Sequence, residues 1–169
     1  MKKEKVLEVA TYCFVASIFF LLSPWIANMI DRKLFNTNSF LQAPVSVMIL
    51  GIVIVSVGSA LALWATVLFK LKGKGTPNPM LPPKNLIISG PYKFTRNPIY
   101  LGGTIVLLGE SLVYFSLSLF GLSILFSLTL YLSTKFIEEP ALVKRFGNSY
   151  KAYIRNVPRY FPNPFKLYL

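Results

Sequence analysis

From Val9 to Ile30, and again from Pro44 to Phe69, the chain runs without a single charged residue. Each run is long enough as a helix to cross a hydrocarbon core about 30 Å thick. Two further apolar runs, 99–115 and 117–136, follow with almost nothing polar between them, and they read as a helical hairpin turning near Ser116 and Ser118. Composition agrees: 54% of the 169 residues are hydrophobic and 14% charged, against roughly a quarter charged in soluble domains. In lipid a helix satisfies its own backbone polar groups. The expectation is a single membrane-embedded domain over residues 1–169, all-α, with about four transmembrane helices. Pro24 marks a kink in the first span, and Gly51, Ser56, Gly58 and Ala62 mark a face of the second where helices approach closely.

Charge orients the spans. Lys2, Lys3 and Lys5 precede the first, six cations lie between Lys70 and Arg96, and seven between Lys135 and Lys166; only Arg32 and Lys33, beside Asp31, fall in the remaining loop. Sixteen of the eighteen cations therefore share one side, which the positive-inside rule makes cytoplasmic, with both termini there. The net charge of +12 reads as loop and headgroup chemistry in such a chain, and no nucleic-acid partner is expected. The absence of histidine and the single cysteine, Cys13, exclude a Ser-His-Asp triad, an internal disulfide and a His- or Cys-built metal cage. Cys13 reads as a buried apolar residue. No metal is expected.

Two segments outside the spans, 70–98 and 137–169, carry the ordered polar chemistry. The first holds six of the twelve prolines, making it a stiff strap. Within it Ser89-Gly90-Pro91 signals a turn, and Asn97-Pro98 reads as N-cap and first residue of the third span. In the second, Pro140 predicts a kink or break at Glu139. A short helix then fits 141–146 with Gly147 as its stop, and Asn148 or Ser149 can cap another that ends at Val157-Pro158-Arg159. Taken singly, these features have plain explanations. Asn97 can be only a cap. Glu138 and Glu139 can be a solvated helix end pairing with Lys135 or Arg145. Tyr150 and Tyr153 suit a membrane interface, and Arg159 suits a headgroup. Glu110, the acidic residue inside a span, is either part of a substrate pocket or a packing and interface residue. Gly102, Gly103 and Gly109 suit close helix contact.

Taken together, GPYKFTRNPIYLG at 90–102 and EEPALVKRFGNSYKAYIRNVPRYFP from Glu138 resemble the isoprenylcysteine carboxyl methyltransferase and phospholipid methyltransferase superfamily. The upstream GTPNPMLPPKNLIISGPY is similar to the prokaryotic branch, which implies a prokaryotic cell membrane. The likeness covers roughly residues 70–163. It implies a membrane enzyme using S-adenosylmethionine, with a lipid-borne methyl acceptor and a cofactor pocket built from the two cytoplasmic segments. Carried onto this chain, the first motif implies cofactor contacts at Tyr92, Arg96, Asn97, Pro98, Tyr100 and Leu101. The second implies them at Glu138, Glu139, Phe146, Tyr150, Tyr153 and Arg159, with Leu142 and Gly147 at flanking matches. Arg96 and Glu138 are the expected catalytic pair. Better-known members carry histidine where this chain has Asn97, which hydrogen-bonds but transfers no proton. A similar R-H-P-x-Y pattern occurs in NADPH-dependent sterol and steroid reductases, the alternative enzyme class; a non-catalytic scaffold or sensor keeping the fold is the third. No G-x-G-x-x-G, repeat or further low-complexity segment is present.

Overall fold

A computed structural model describes residues 17–36, 43–73 and 84–161. The N-terminal lysines, Cys13, the start of the first span, strap residues 74–83 and Lys166 lie outside the described residues. Within them every element is helical: α1 (Ser23–Phe35), α2 (Val45–Gly73), α3 (Pro98–Val113), α4 (Leu117–Ser133), α5 (Glu139–Phe146) and α6 (Asn148–Asn156). A π-helical turn, Ile18–Leu22, precedes α1, a 3₁₀ turn occupies Gly90–Lys93, and a second π turn, Thr134–Glu138, fuses α4 to α5. Two of these helices, α2 and the continuous Leu117–Phe146, are long and apolar enough to cross a membrane. Only 11% of the apolar window of α2 and 17% of that of Leu117–Phe146 are buried, so neither is the core of a soluble domain. α3 is apolar but shorter, at 16 residues.

Packing divides the chain into two compact units, one drawn from the chain up to Val55 with Val106–Ile124, the other from Ser56–Ile105 with Leu125 onward. In the first, Asp31 explains a boundary that the sequence misplaces. The span expected to end at Ile30 runs on as helix to Phe35, and the Asp31-Arg32-Lys33 trio forms its last turns rather than a loop. Asp31 is 1% exposed. Its carboxylate accepts from the hydroxyls of Ser116 and Ser118 and from the Ser118 N–H. It thereby caps the start of α4, where unpaired N–H groups and the helix dipole favour a negative charge. Arg32 and Lys33, in the last turn of α1, complement the opposite pole. The hairpin turn falls where expected: Phe115 takes a left-handed φ of 49°, and Ser116 Oγ accepts from Leu119 N at 3.1 Å.

Glycine sets the approach of α2 and α3. In the first unit a Cβ on Gly109 would lie 2.7 Å from Val55 N and 2.9 Å from the Gly51 carbonyl oxygen. In the second, a Cβ on Gly102 would lie 2.7 Å from the Gly58 carbonyl oxygen and 2.9 Å from Ala62 Cβ. Lipid supplies no hydrophobic drive between helices, so close backbone contact of this kind is what holds them.

The second unit also folds the described end of the strap back on α2. Lys84 N donates to the Gly73 carbonyl at 2.8 Å, and Lys72 Nζ reaches Ser89 Oγ at 3.0 Å. Ala65, Ile87 and Tyr92 pack together against Leu68, Phe69 and Ile99. Gly90 turns the chain at φ +60°, with Leu68 Cδ1 2.5 Å from where a Cβ would stand, so the position admits little else. Tyr150, Tyr153 and Val157 form a second cluster with Leu86, Leu142 and Phe146.

Pro140 does not break the chain. Glu139 is α-helical at φ −61° and ψ −43°, and its N–H bonds the Thr134 carbonyl five residues back. The π turn widens the helix just ahead of the proline, whose ring would collide with a carbonyl of the preceding turn in a regular helix. Pro24 follows the other π turn in the same way. Nor do Asn148 or Ser149 cap α6: Gly147, at φ 57°, is the N-cap, and no side chain bonds there. It also ends α5, as expected.

Two stability predictions follow from this packing. Gly102→Ala forces a methyl against backbone and lowers stability by about 1–3 kcal/mol. Asp31→Ala strands buried donors and costs about 2–3 kcal/mol. Thermal unfolding in detergent tests both, and an unchanged midpoint in either variant contradicts the corresponding contact.

Candidate functional site

The second unit brings both motifs to one place. Glu138 and Glu139 leave the π turn in different directions. Tyr100, in the first turn of α3, donates its hydroxyl to Glu138 Oε1 at 2.8 Å, with Ser133 Oγ a weak second donor at 3.5 Å. Glu139 is gripped by two guanidiniums. Arg159 donates from Nε to Oε1 at 2.9 Å and from Nη2 to Oε2 at 2.7 Å. Arg96 Nη2 reaches Oε1 at 3.0 Å. The side chains of Arg96 and Glu139 are 6% and 8% exposed, so this is a buried cluster with two cations on one anion. The bonds to Glu139 push the Arg159 pKa up, and the Arg159 guanidinium also lies 5.0 Å from the centre of the Tyr131 ring.

Three hydrogen bonds dock the chain after α6 onto the loop before α3. Arg96 N donates to the Pro158 carbonyl at 3.0 Å. Thr95 Oγ1 and Asn97 Nδ2 each donate to the Arg159 carbonyl at 3.0 Å. Asn97 does stand at the start of α3, with its carbonyl accepting from Leu101 N at 3.0 Å, but its amide nitrogen serves Arg159. Tyr153 ties the same region inward, donating to the Tyr92 carbonyl at 2.6 Å. Tyr92 in turn points its hydroxyl at the Ala65 carbonyl, at 3.4 Å. Burial pushes the phenols of Tyr92, Tyr150 and Tyr153 above their ordinary range, which keeps them neutral hydrogen-bonding groups.

A pocket of about 60 Å³ is lined by Tyr92, the run Arg96 to Tyr100, and Glu138. Arg96, one of the lining residues, keeps its Nε and Nη1 buried without a protein acceptor. A buried donor left unbonded costs about 1–3 kcal/mol, more when charged, so this corner is suited to an anion. Across the same small space stands the Glu138 carboxylate, suited to a cation. Of the residues anticipated from sequence, Tyr92, Arg96, Asn97, Pro98, Tyr100 and Glu138 line the pocket. Glu139, Tyr150, Tyr153 and Arg159 stand behind it, and Phe146 packs in the tyrosine cluster. Leu101 is half-buried on α3 outside the lining. Glu110 belongs to the other unit, buried, with Ser23 Oγ 3.3 Å from its carboxylate. Thr95 and Ser133 escaped the sequence reading: each sits beside a motif residue with nothing in its own type to mark it.

Glu139→Ala removes the carboxylate from the buried Arg96 guanidinium and the part-buried Arg159 one and is expected to cost about 3–5 kcal/mol. Thermal unfolding of purified protein checks this; a loss below about 1 kcal/mol, the scale of an exposed pair, means the cluster is open to water.

A family model described as phospholipid methyltransferase matches residues 46–149, more than half of the chain. The match takes in α2 to α5 and all the pocket-lining residues. No curated protein and no solved structure matches the chain. A match of this extent, over the first motif and the start of the second, shows that the chain belongs to the phospholipid methyltransferase family.

Proposed function

We propose that this protein is an integral membrane methyltransferase that moves the methyl group of S-adenosylmethionine to a lipidic or amphiphilic acceptor. The observation that carries this reading is the pocket at the start of α3, lined by both Arg96 and Glu138, with the Nε and Nη1 donors of Arg96 buried and unbonded. An anion-binding and a cation-binding group so placed suit an α-amino acid zwitterion, the polar end of that cofactor. Guanidinium pairing with a carboxylate is strong and directional. At about 60 Å³ the space is far below the roughly 300 Å³ of a site that takes a drug-sized ligand, and it suits that end alone.

The residues present therefore fit the group. Arg96 would hold the carboxylate and Glu138 the ammonium, with Tyr100 fixing the Glu138 rotamer. Tyr92, Pro98 and Ile99 supply the apolar floor. When bound, the cofactor supplies a methyl group already activated by its sulfonium. What remains for the protein is alignment of the acceptor with the methyl carbon, and holding reactants in register is among the largest effects available to an enzyme. A lipid-borne amine, carboxylate or thiol acceptor needs little help from a strong base, which suits a chain without histidine. The apolar exposed faces of α2 and α4 give such an acceptor a path through the bilayer. In this reading the chain crosses the bilayer four times with both termini in the cytoplasm, which the charge distribution supports, and the pocket faces the cytoplasm. The family match favours this reading over the NADPH-dependent reductase.

Titration of detergent-purified protein with S-adenosylmethionine, and with NADPH in parallel, tests the proposal. Wild-type protein binds S-adenosylmethionine. Arg96→Ala weakens that binding by about 10- to 100-fold, as expected for a lost charge-assisted pair of bonds, and Glu138→Gln weakens it less. Folded wild-type protein that binds NADPH alone, or neither ligand, overturns the proposal.

A further inference from the structure

Glu139 has one negative charge and two guanidiniums competing for it. Arg159 holds both carboxylate oxygens, at 2.9 and 2.7 Å, and leaves Arg96 a single contact at 3.0 Å. That unequal division leaves Nε and Nη1 of Arg96, a pocket-lining residue, without a protein acceptor. Were Arg159 displaced, the carboxylate would be free to pair with Arg96 in two-point fashion, through Nη2 and one of those two donors. What keeps Arg159 in place is its own backbone. Its carbonyl oxygen accepts from Thr95 Oγ1 and from Asn97 Nδ2, both at 3.0 Å, filling both lone-pair positions of one oxygen. Thr95 is 3% exposed, and its hydroxyl also accepts from Asn97 N at 3.3 Å. One buried hydroxyl thus joins the motif loop to the chain after α6.

We infer that Thr95 is a positioning residue for the cofactor site. By clamping the Arg159 carbonyl it holds the Arg159 guanidinium on Glu139 and so keeps Arg96 donors unspent for an anionic ligand group. Asn97 is the second jaw of that clamp, its amide spent on the protein's own backbone. The inference rests on the methyltransferase reading for the identity of the ligand, but the clamp itself is a property of the unliganded chain.

The test compares wild type, Thr95→Val and Thr95→Ser as full-length detergent-purified proteins. Valine keeps the shape and removes the hydroxyl; serine restores the hydroxyl. Two readouts are taken: affinity for S-adenosylmethionine, and amide hydrogen exchange at Arg96, whose N–H bonds the Pro158 carbonyl at 3.0 Å. Thr95→Val weakens binding about tenfold, the scale of one buried hydrogen bond, and speeds exchange at Arg96. Thr95→Ser stays within about twofold of wild type in both. Wild-type behaviour in Thr95→Val, or equal damage in Thr95→Ser, overturns the clamp. If wild type binds no S-adenosylmethionine, the methyltransferase reading fails while the exchange comparison still decides the clamp. If Thr95→Val does not fold, Arg159→Lys, which keeps the charge but not the two-point grip, takes its place, and undiminished affinity there overturns the inference.

Discussion

Glu139 and the two arginines on it are the interaction on which the rest of the functional region depends. Taking a carboxylate and two guanidiniums out of water is expensive, and the cost is offset only when geometry is good and hydrogen bonds are numerous. Here the carboxylate sits at the end of a π turn, one guanidinium precedes α3, and the other follows α6. Three separated stretches of chain must therefore be in register before any of the charges is compensated. The backbone bonds at Thr95, Arg96 and Asn97 and the Tyr153–Tyr92 bond serve that registration. The cluster keeps a positive excess, and Arg96 shares the lining of one small pocket with Glu138.

The same economy of acid runs through the described residues. Asp31, Glu110 and Glu139 are buried and Glu138 is half-buried, so every described carboxylate is turned inward, with Arg96 and Arg159 drawn in beside Glu139, while the described lysines and Arg32, Arg145 and Arg155 are exposed. A buried carboxylate persists where it has work to do. Asp31 starts α4, Glu139 organises the arginines and Glu138 lines the pocket. The exposed cations are left to meet water and headgroups.

Lipid as the outer solvent explains the remaining features. Apolar faces of α2 and α4 are exposed because nothing needs to cover them, and helix association falls to glycine contacts and interhelical polar bonds. Both π turns lie directly ahead of a proline, at Pro24 and Pro140. A widened turn lets the helix continue through a residue that would otherwise end it. The second of these turns also aims adjacent glutamates at different partners, so an accommodation of proline becomes a feature of the site.

Much of the fold was legible in order of residues alone. Uncharged runs state how far a helix extends in lipid, and glycines at 51, 58, 102 and 109 state where helices come close. The hairpin at Ser116 was readable because serines interrupt an apolar run. Gly147 was readable because a positive φ favours glycine. The paired motifs, through the family they resemble, pointed to the pocket-lining residues other than Ile99, and equally to Glu139, Phe146, Tyr150, Tyr153 and Arg159, which lie outside the lining. What the order of residues left open was who bonds whom. Asp31 looked like loop charge because its partners lie more than eighty positions away. Asn97 looked like a cap because its position allows one, and only the arrival of the Arg159 carbonyl redirects its amide. Thr95 carries no signal of its own, since a threonine hydroxyl acquires meaning only from what stands 3 Å from it. Local geometry and solvent preference are written along the chain; the division of one carboxylate between two arginines is decided only when distant segments meet.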